Sequence, residues 1–194
     1  DRELEGARRP NRLMVEDVGP FTLSRYRFEG SPQTLSDWTI QPPRLSTPSG
    51  ICRAKGKGWS CAEGAVSIAY AEVEYPPRRC FTFALSDGTP LRFEASMELG
   101  TALRGHVGIT DFNARLRSDA AVRVQTFVDD TEIGTFTVTD AQGWRPFVVR
   151  TDPGPHDVRV VLTDTVQGTW GREGHEPRGA REVCFELRAL GGGA

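Results

Sequence analysis

Trp144 follows Gly143 at a turn, and Trp170 stands between Gly168 and Gly171 in a long polar stretch. Trp59 lies between Cys52 and Cys61. A tryptophan presented by a polar loop is a stacking platform, because C–H groups settle on its electron-rich π-face. The C–H face of a pyranose is such a partner, and its hydroxyls then need planar, multi-donor groups. Arg104, His106 and Asn113 are of that kind, and Arg104-Gly105-His106 and Asp111-Phe112-Asn113 flank one short run of strand character. The same residues suit plainer roles. Trp144, beside Pro146 and Phe147, also fits as a cap folded back on a core, and the polar triplets fit solvated turns. Trp38, inside Asp37-Trp38-Thr39-Ile40, reads as core.

Asp111 is the candidate oxygen ligand for a structural Ca²⁺, which needs oxygens clustered from loops. Asp129-Asp130 has the chemistry of a hairpin turn first and of a metal ligand second. No D-x-[DN]-x-[DN]-G loop occurs, and no cofactor is required by any motif. His106, His156 and His175 could act as general bases. No G-x-S-x-G, H-E-x-x-H or Cys-His signature accompanies them, and Pro177 after His175-Glu176 forbids a metalloprotease helix. No glycine loop leads from a strand into a helix, so a nucleotide site is not indicated. The expectation is a protein without catalytic activity.

Cys52, Cys61, Cys80 and Cys184 form no CxxC, and the histidines lie far from any pair of them, which argues against zinc. Cys52–Cys61 would close a short Gly/Lys-rich loop, Arg53 to Ser60. Cys80 and Cys184 sit in two similar strands, Arg79-Cys80-Phe81-Thr82-Phe83 and Val183-Cys184-Phe185-Glu186-Leu187. Alternate residues of a strand share a face, so the phenylalanines and Val183, Phe185 and Leu187 point to a core while both thiols fall on the opposite, outer face. Neighbouring strands would let them join. Two disulfides imply the periplasm, the cell surface or the extracellular space; four reduced thiols in a cytosolic protein are the alternative.

The elements that must position these groups are strands. Phe81–Leu85, Leu91–Ala95, His106–Thr110, Val122–Val128, Phe136–Val138, Trp144–Arg150, Val158–Thr163 and Glu182–Ala189 are short apolar or alternating runs. Ser86-Asp87-Gly88-Thr89-Pro90, Asp129-Asp130-Thr131, Asp140-Ala141-Gln142-Gly143 and Asp152-Pro153-Gly154-Pro155 separate them as turns. Phe21–Phe28 reads as a first strand. Val66–Val73 alternates like a strand but carries alanines that suit a helix. Gln41–Gly50 reads as loop, Met97–Arg104 as one loose helical turn, and residues 164–180 as a polar loop. No sustained 3.6-residue apolar period appears, which disfavours an α/β fold. The expected class is all-β, an antiparallel β-sandwich of jelly-roll type.

Length and charge narrow the rest. The chain has 194 residues, one domain's worth, with 24 basic against 26 acidic side chains and a net charge of -2. That balance excludes a generally basic nucleic-acid binder, and no apolar run approaches a membrane span. Only Lys55 and Lys57 among the basic residues are lysine, a bias that reads as genomic codon usage. Residues 1–20, charged and carrying Pro10 and Pro20, read as a tail or linker, and 21–190 as one sandwich domain.

Val107-Gly108-Ile109-Thr110-Asp111, the valine-alternating run Val122 to Asp130, Ile133-Gly134-Thr135-Phe136 and His156 to Leu162 together resemble the galactose-binding-like jelly rolls, in particular the NPCBM carbohydrate-binding modules. The resemblance spans 80–190. It implies a non-catalytic carbohydrate-binding module of a secreted or cell-surface protein, binding a glycan or polysaccharide in the loops at one end. The family's Asp-His-x-x-Trp-x-Asp-like ending is replaced here by Gly174-His175-Glu176-Pro177-Arg178-Gly179, so the fold transfers better than the ligand. A structural or adhesive ectodomain that meets another protein is the second reading.

Overall fold

The computed structural model describes residues 10–18, 21–28, 33–73, 77–85, 88–110, 121–139, 143–165 and 181–191, the first two segments by backbone alone. Strands β1 (Pro10–Val18) and β2 (Phe21–Phe28) pair with each other as an antiparallel hairpin. Within the stretch expected as a tail, residues 10–18 thus form the first strand of that hairpin. Next come β3 (Gln33–Asp37), β4 (Arg44–Thr47), β5 (Gly50–Ile51), β6 (Arg53–Lys55), β7 (Gly58–Cys61) and β8 (Gly64–Ala71). Then follow β9 (Arg78–Leu85), β10 (Leu91–Leu99), β11 (Ala102–Ile109), β12 (Ala121–Val128), β13 (Thr131–Thr139), β14 (Arg145–Arg150), β15 (Gly154–Asp164) and β16 (Arg181–Gly191).

The last eight strands pair from the middle outward: β12 with β13, β11 with β14, β10 with β15, and β9 with β16, all antiparallel. One long hairpin wound over itself gives this nesting, which is the jelly roll. Its strands divide between a first sheet, ordered β14-β11-β16-β9-β8-β7-β6, and a second, ordered β13-β12-β15-β10-β4-β5. The earlier strands extend both sheets at one edge, and β3 lies along the end of β16.

The core follows from the alternation. Phe81, Phe83 and Leu85 on β9, Leu103 and Val107 on β11, and Val183, Phe185 and Leu187 on β16 are all buried, as are Leu91, Phe93, Val122, Val124, Val158 and Val160 across from them. Phe93 is the hub: its ring lies 5.1 Å from those of both Phe81 and Phe185, and it stacks on Trp38 at 6.3 Å. Trp38 is core, as its neighbours in the sequence suggested. Burial of each such ring contributes about 1.5–3 kcal/mol.

Three local readings change. Met97–Arg104 is not a helical turn but the end of β10 and the start of β11, since Met97, Leu99 and Leu103 keep the strand's inward period. Arg44–Thr47 within the expected loop is a strand, drawn in by pairing with Glu94 to Arg92. The segment between Cys52 and Cys61 is the β6–β7 hairpin rather than a loop.

Both expected disulfides are present. Cys52–Cys61 joins the chain between β5 and β6 to the end of β7, fastening the two sheets at their shared edge. Cys80–Cys184 links adjacent strands β9 and β16. Its cysteines do occupy the outer face, but neither is exposed; Val73, itself buried, and Trp144 lie beside Gly108, the register neighbour of Cys184.

Candidate functional site

The outer face of the first sheet gathers three of the residues singled out in the sequence. Arg104 and His106 lie inside β11 rather than at its ends, and they share a face with Gly108. The Trp144 ring lies over Gly108, where no side chain stands in its way, and the Arg78 guanidinium sits 5.6 Å from the ring centre. Arg104 is exposed and His106 is buried. Trp170, Asn113, Asp111 and His175 lie outside the described residues. The end-loop site expected from the sequence is thus seen here only as the part of it that falls on a sheet face.

His106 belongs to a charged network on that face. Its Nδ1 donates to Glu186 Oε1 across 2.8 Å, and the same oxygen accepts from Arg78 at 3.0 Å. Arg188 donates to the other Glu186 oxygen at 2.9 Å, and its Nε lies 2.9 Å from Asp37. Burial works to raise the Glu186 carboxyl pKa. The His106 hydrogen bond and the positive charges of Arg188, His106 and Arg78 outweigh it and hold the pKa below its ordinary value. The network fixes β3, β9, β11 and β16 to one another and occupies the His106 ring.

The outer face of the second sheet carries a groove of about 410 Å³, lined by Arg44, Glu94, Ser96, Asp130, Asp157 and Arg159. The register lines them up: Phe127 of β12 faces Arg159 of β15, which faces Glu94 of β10, which faces Arg44 of β4. The next row sets Ser96 against Asp157, and the Ser96 hydroxyl donates to that carboxylate. Arg44 binds Glu94 at 2.7 Å and Arg159 binds Asp130 at 2.8 Å. The Arg159 guanidinium lies 4.5 Å from the Phe127 ring centre, a cation–π contact that spreads a flat cationic plate along the groove. A second cleft, beside Cys61 and Glu63, holds only about 20 Å³, room for little more than one water.

Asp129 and Asp130 make the β12–β13 turn, with φ of 47° and 64°. Both carboxylates reach β15. Asp129 accepts from His156 Nδ1 at 2.6 Å and from the Asp157 backbone N–H at 3.0 Å. The His156 hydrogen bond and that backbone bond lower the Asp129 pKa, and the same pairing raises the His156 pKa. Among the described residues no group of three or more His, Cys, Asp or Glu side chains is placed to hold a metal ion.

Sequence reading missed this groove. Its polar lining residues come from four separate segments and carry no motif. One signal was visible: Phe127 sits at a solvent-facing position of an alternating run, where a large ring is out of place unless something covers it.

The pairings define a jelly-roll β-sandwich with a polar groove across one sheet. No protein-family model and no characterised protein matches the chain by sequence. Among similar solved structures are carbohydrate-binding modules. One is the CBM51-2 and INT region of Clostridium perfringens ZmpB in complex with GlcNAc, 12% identical with a TM-score of 0.44, covering 88% of this chain and 34% of that one. A second is TmCBM61 in complex with β-1,4-galactotriose, 12% identical with a TM-score of 0.45, covering 80% and 97%. A third is CBM51 from Clostridium perfringens GH95 in complex with methyl-galactose, 10% identical with a TM-score of 0.41, covering 82% and 100%. The chain spans about a third of the length of the ZmpB structure. No helix among the described residues is long and apolar enough to cross a membrane.

Proposed function

We propose that this chain is a non-catalytic carbohydrate-binding domain that holds a saccharide across the outer face of the second sheet. The groove carries the reading. Its size suits a small ligand, and its walls interleave planar donors, Arg44 and Arg159, with acceptors, Glu94, Asp130 and Asp157. A neutral polyol offers hydroxyls that donate and accept at close intervals, and this alternation matches it. Glu94 and Asp157 are both engaged as acceptors, from Arg44 and Ser96, which suits the binding of hydroxyls rather than the delivery of a proton. The two disulfides support a secreted, surface or periplasmic setting.

The set named from the sequence, Trp144 or Trp170 as platform with Arg104, His106 and Asn113, and Asp111 as the candidate Ca²⁺ ligand, is the second reading. It ranks lower because Arg78 already occupies the Trp144 ring and Glu186 the His106 ring. Among the described residues the exposed large apolar side chains Leu35, Ile40, Ile51, Tyr70 and Val148 are spread over different strands and turns, which gives a protein-contact ectodomain no apolar patch there to rest on.

The test is binding of the oxidised protein to a broad panel of glycans, with and without EDTA. Selective binding that weakens roughly tenfold or more in Arg159→Ala and Glu94→Ala is expected, since each removes a charged hydrogen-bonding partner. Loss in Trp144→Ala instead moves the site to the first sheet, and EDTA sensitivity adds the metal. Cleavage of a bound glycan would overturn the non-catalytic reading. A folded protein that binds no glycan would sink the function itself.

A further inference from the structure

The first sheet's outer face carries a second feature, independent of the groove. Arg104 of β11 stands directly opposite Arg188 of β16, and on its other side opposite Val148 of β14. Arg150, two residues beyond Val148, faces Ala102 and shares the same outer side. Three guanidinium groups therefore crowd one corner of a chain whose net charge is -2. Like charges directly opposite on neighbouring strands destabilise a sheet. Arg188 is neutralised by Glu186 and Asp37. Arg104 and Arg150 are exposed, and among the described residues neither is bonded to an acid. Between them lies Val148, 62% exposed, an apolar floor rather than a carboxylate.

We propose that Arg104 and Arg150 form an anion subsite for the carboxylate or sulfate groups of an acidic saccharide. The saccharide part of this inference rests on the proposed carbohydrate-binding function; the anion part rests on the arginine register alone. Guanidinium forks pair with planar or tetrahedral oxyanions through two parallel N–H bonds, and Arg104 and Arg150, at diagonal positions of neighbouring strands on one face, can both reach a single oxyanion.

The experiment compares dextran sulfate with unmodified dextran, and polygalacturonate with its methyl ester, on the intact oxidised chain. Inorganic sulfate and a single-stranded oligonucleotide are run beside them. Retention of the acidic polymers over their neutral counterparts is expected, falling roughly tenfold as salt rises from about 0.05 to 0.3 M through counterion release and screening. Arg104→Ala and Arg150→Ala should each weaken it about three- to tenfold, by loss of one charge-assisted contact, and Arg104→Lys should restore part of it. Arg123→Ala, on the second sheet outside the groove, should leave it unchanged. Equal retention of neutral and acidic forms, or no effect of either arginine, overturns the subsite. Equal binding of the oligonucleotide overturns the saccharide class, and saturation by inorganic sulfate alone with no polymer preference leaves only a free-ion site and overturns it likewise. The neutral glycan panel fails or succeeds separately, so a failed subsite does not disguise a failed carbohydrate reading.

Discussion

Trp144 rests on Gly108 because Gly108 has no side chain: a methyl group there would lie 3.0 Å from Trp144 Cε3 and 2.9 Å from Val73 Cγ2. The glycine thus lets two residues from distant parts of the chain pack over β11, next to the strand that carries Cys184. Gly108→Ala is expected to cost about 1–3 kcal/mol, the usual penalty for overpacking. It should also lift the indole toward water. Urea unfolding gives the first number and a red-shifted tryptophan emission the second; an unshifted spectrum with full stability would show that the cover yields freely.

The two disulfides differ in what they restrain. Cys52–Cys61 closes a sequence separation of 9 and Cys80–Cys184 one of 104. In the chain-entropy account the longer loop stabilises by about 2 kcal/mol more than the shorter. The Cys80→Ala/Cys184→Ala variant should therefore unfold at lower denaturant than Cys52→Ala/Cys61→Ala. The reverse order would mean that fastening the two sheets together matters more than loop length.

Phe93 and Phe127 are both phenylalanines on the second sheet, pointing to opposite sides. Phe93 is fully buried among Trp38 and the phenylalanine rings of the first sheet. Phe93→Ala is expected to cost about 3–5 kcal/mol through the cavity left behind. Phe127→Ala should cost under about 1 kcal/mol of stability, as for a surface change that leaves the core filled, but should loosen Arg159 and weaken glycan binding. Comparing chemical denaturation with glycan affinity separates the two roles.

The Asp129–His156 pair predicts a window of pH. The His156 pKa is raised above its ordinary 6.5, so its contribution is complete below that value and is lost as pH rises through the folded pKa. The Asp129 pKa is lowered below its ordinary 3.8, so its contribution is present above that value and is lost as pH falls through the folded pKa. Glu186, lowered below 4.5, acts in the same direction as Asp129. Stability should hold between these limits and decline on either side. His156→Asn should flatten the alkaline decline; if the decline is unaltered, another group causes it.

Alternation settled much of this protein without help from tertiary structure. The inward residues of β9, β12, β15 and β16, the Asp129-Asp130 turn and the core place of Trp38 are local consequences of side-chain period and turn chemistry. The likeness of the two cysteine strands was enough to pair Cys80 with Cys184. What period cannot carry is which strands become neighbours. Arg44, Glu94, Arg159 and Phe127 form one row only because β4, β10, β15 and β12 lie side by side, and Arg104 meets Arg188 only because β11 pairs with β16. Outer faces hold no apolar pattern to betray their partners, so the groove and the arginine corner were decided by strand order and register. The burial of His106 was decided there too: a histidine at a solvent-facing position of β11 becomes interior once Glu186 and Arg78 arrive from neighbouring strands.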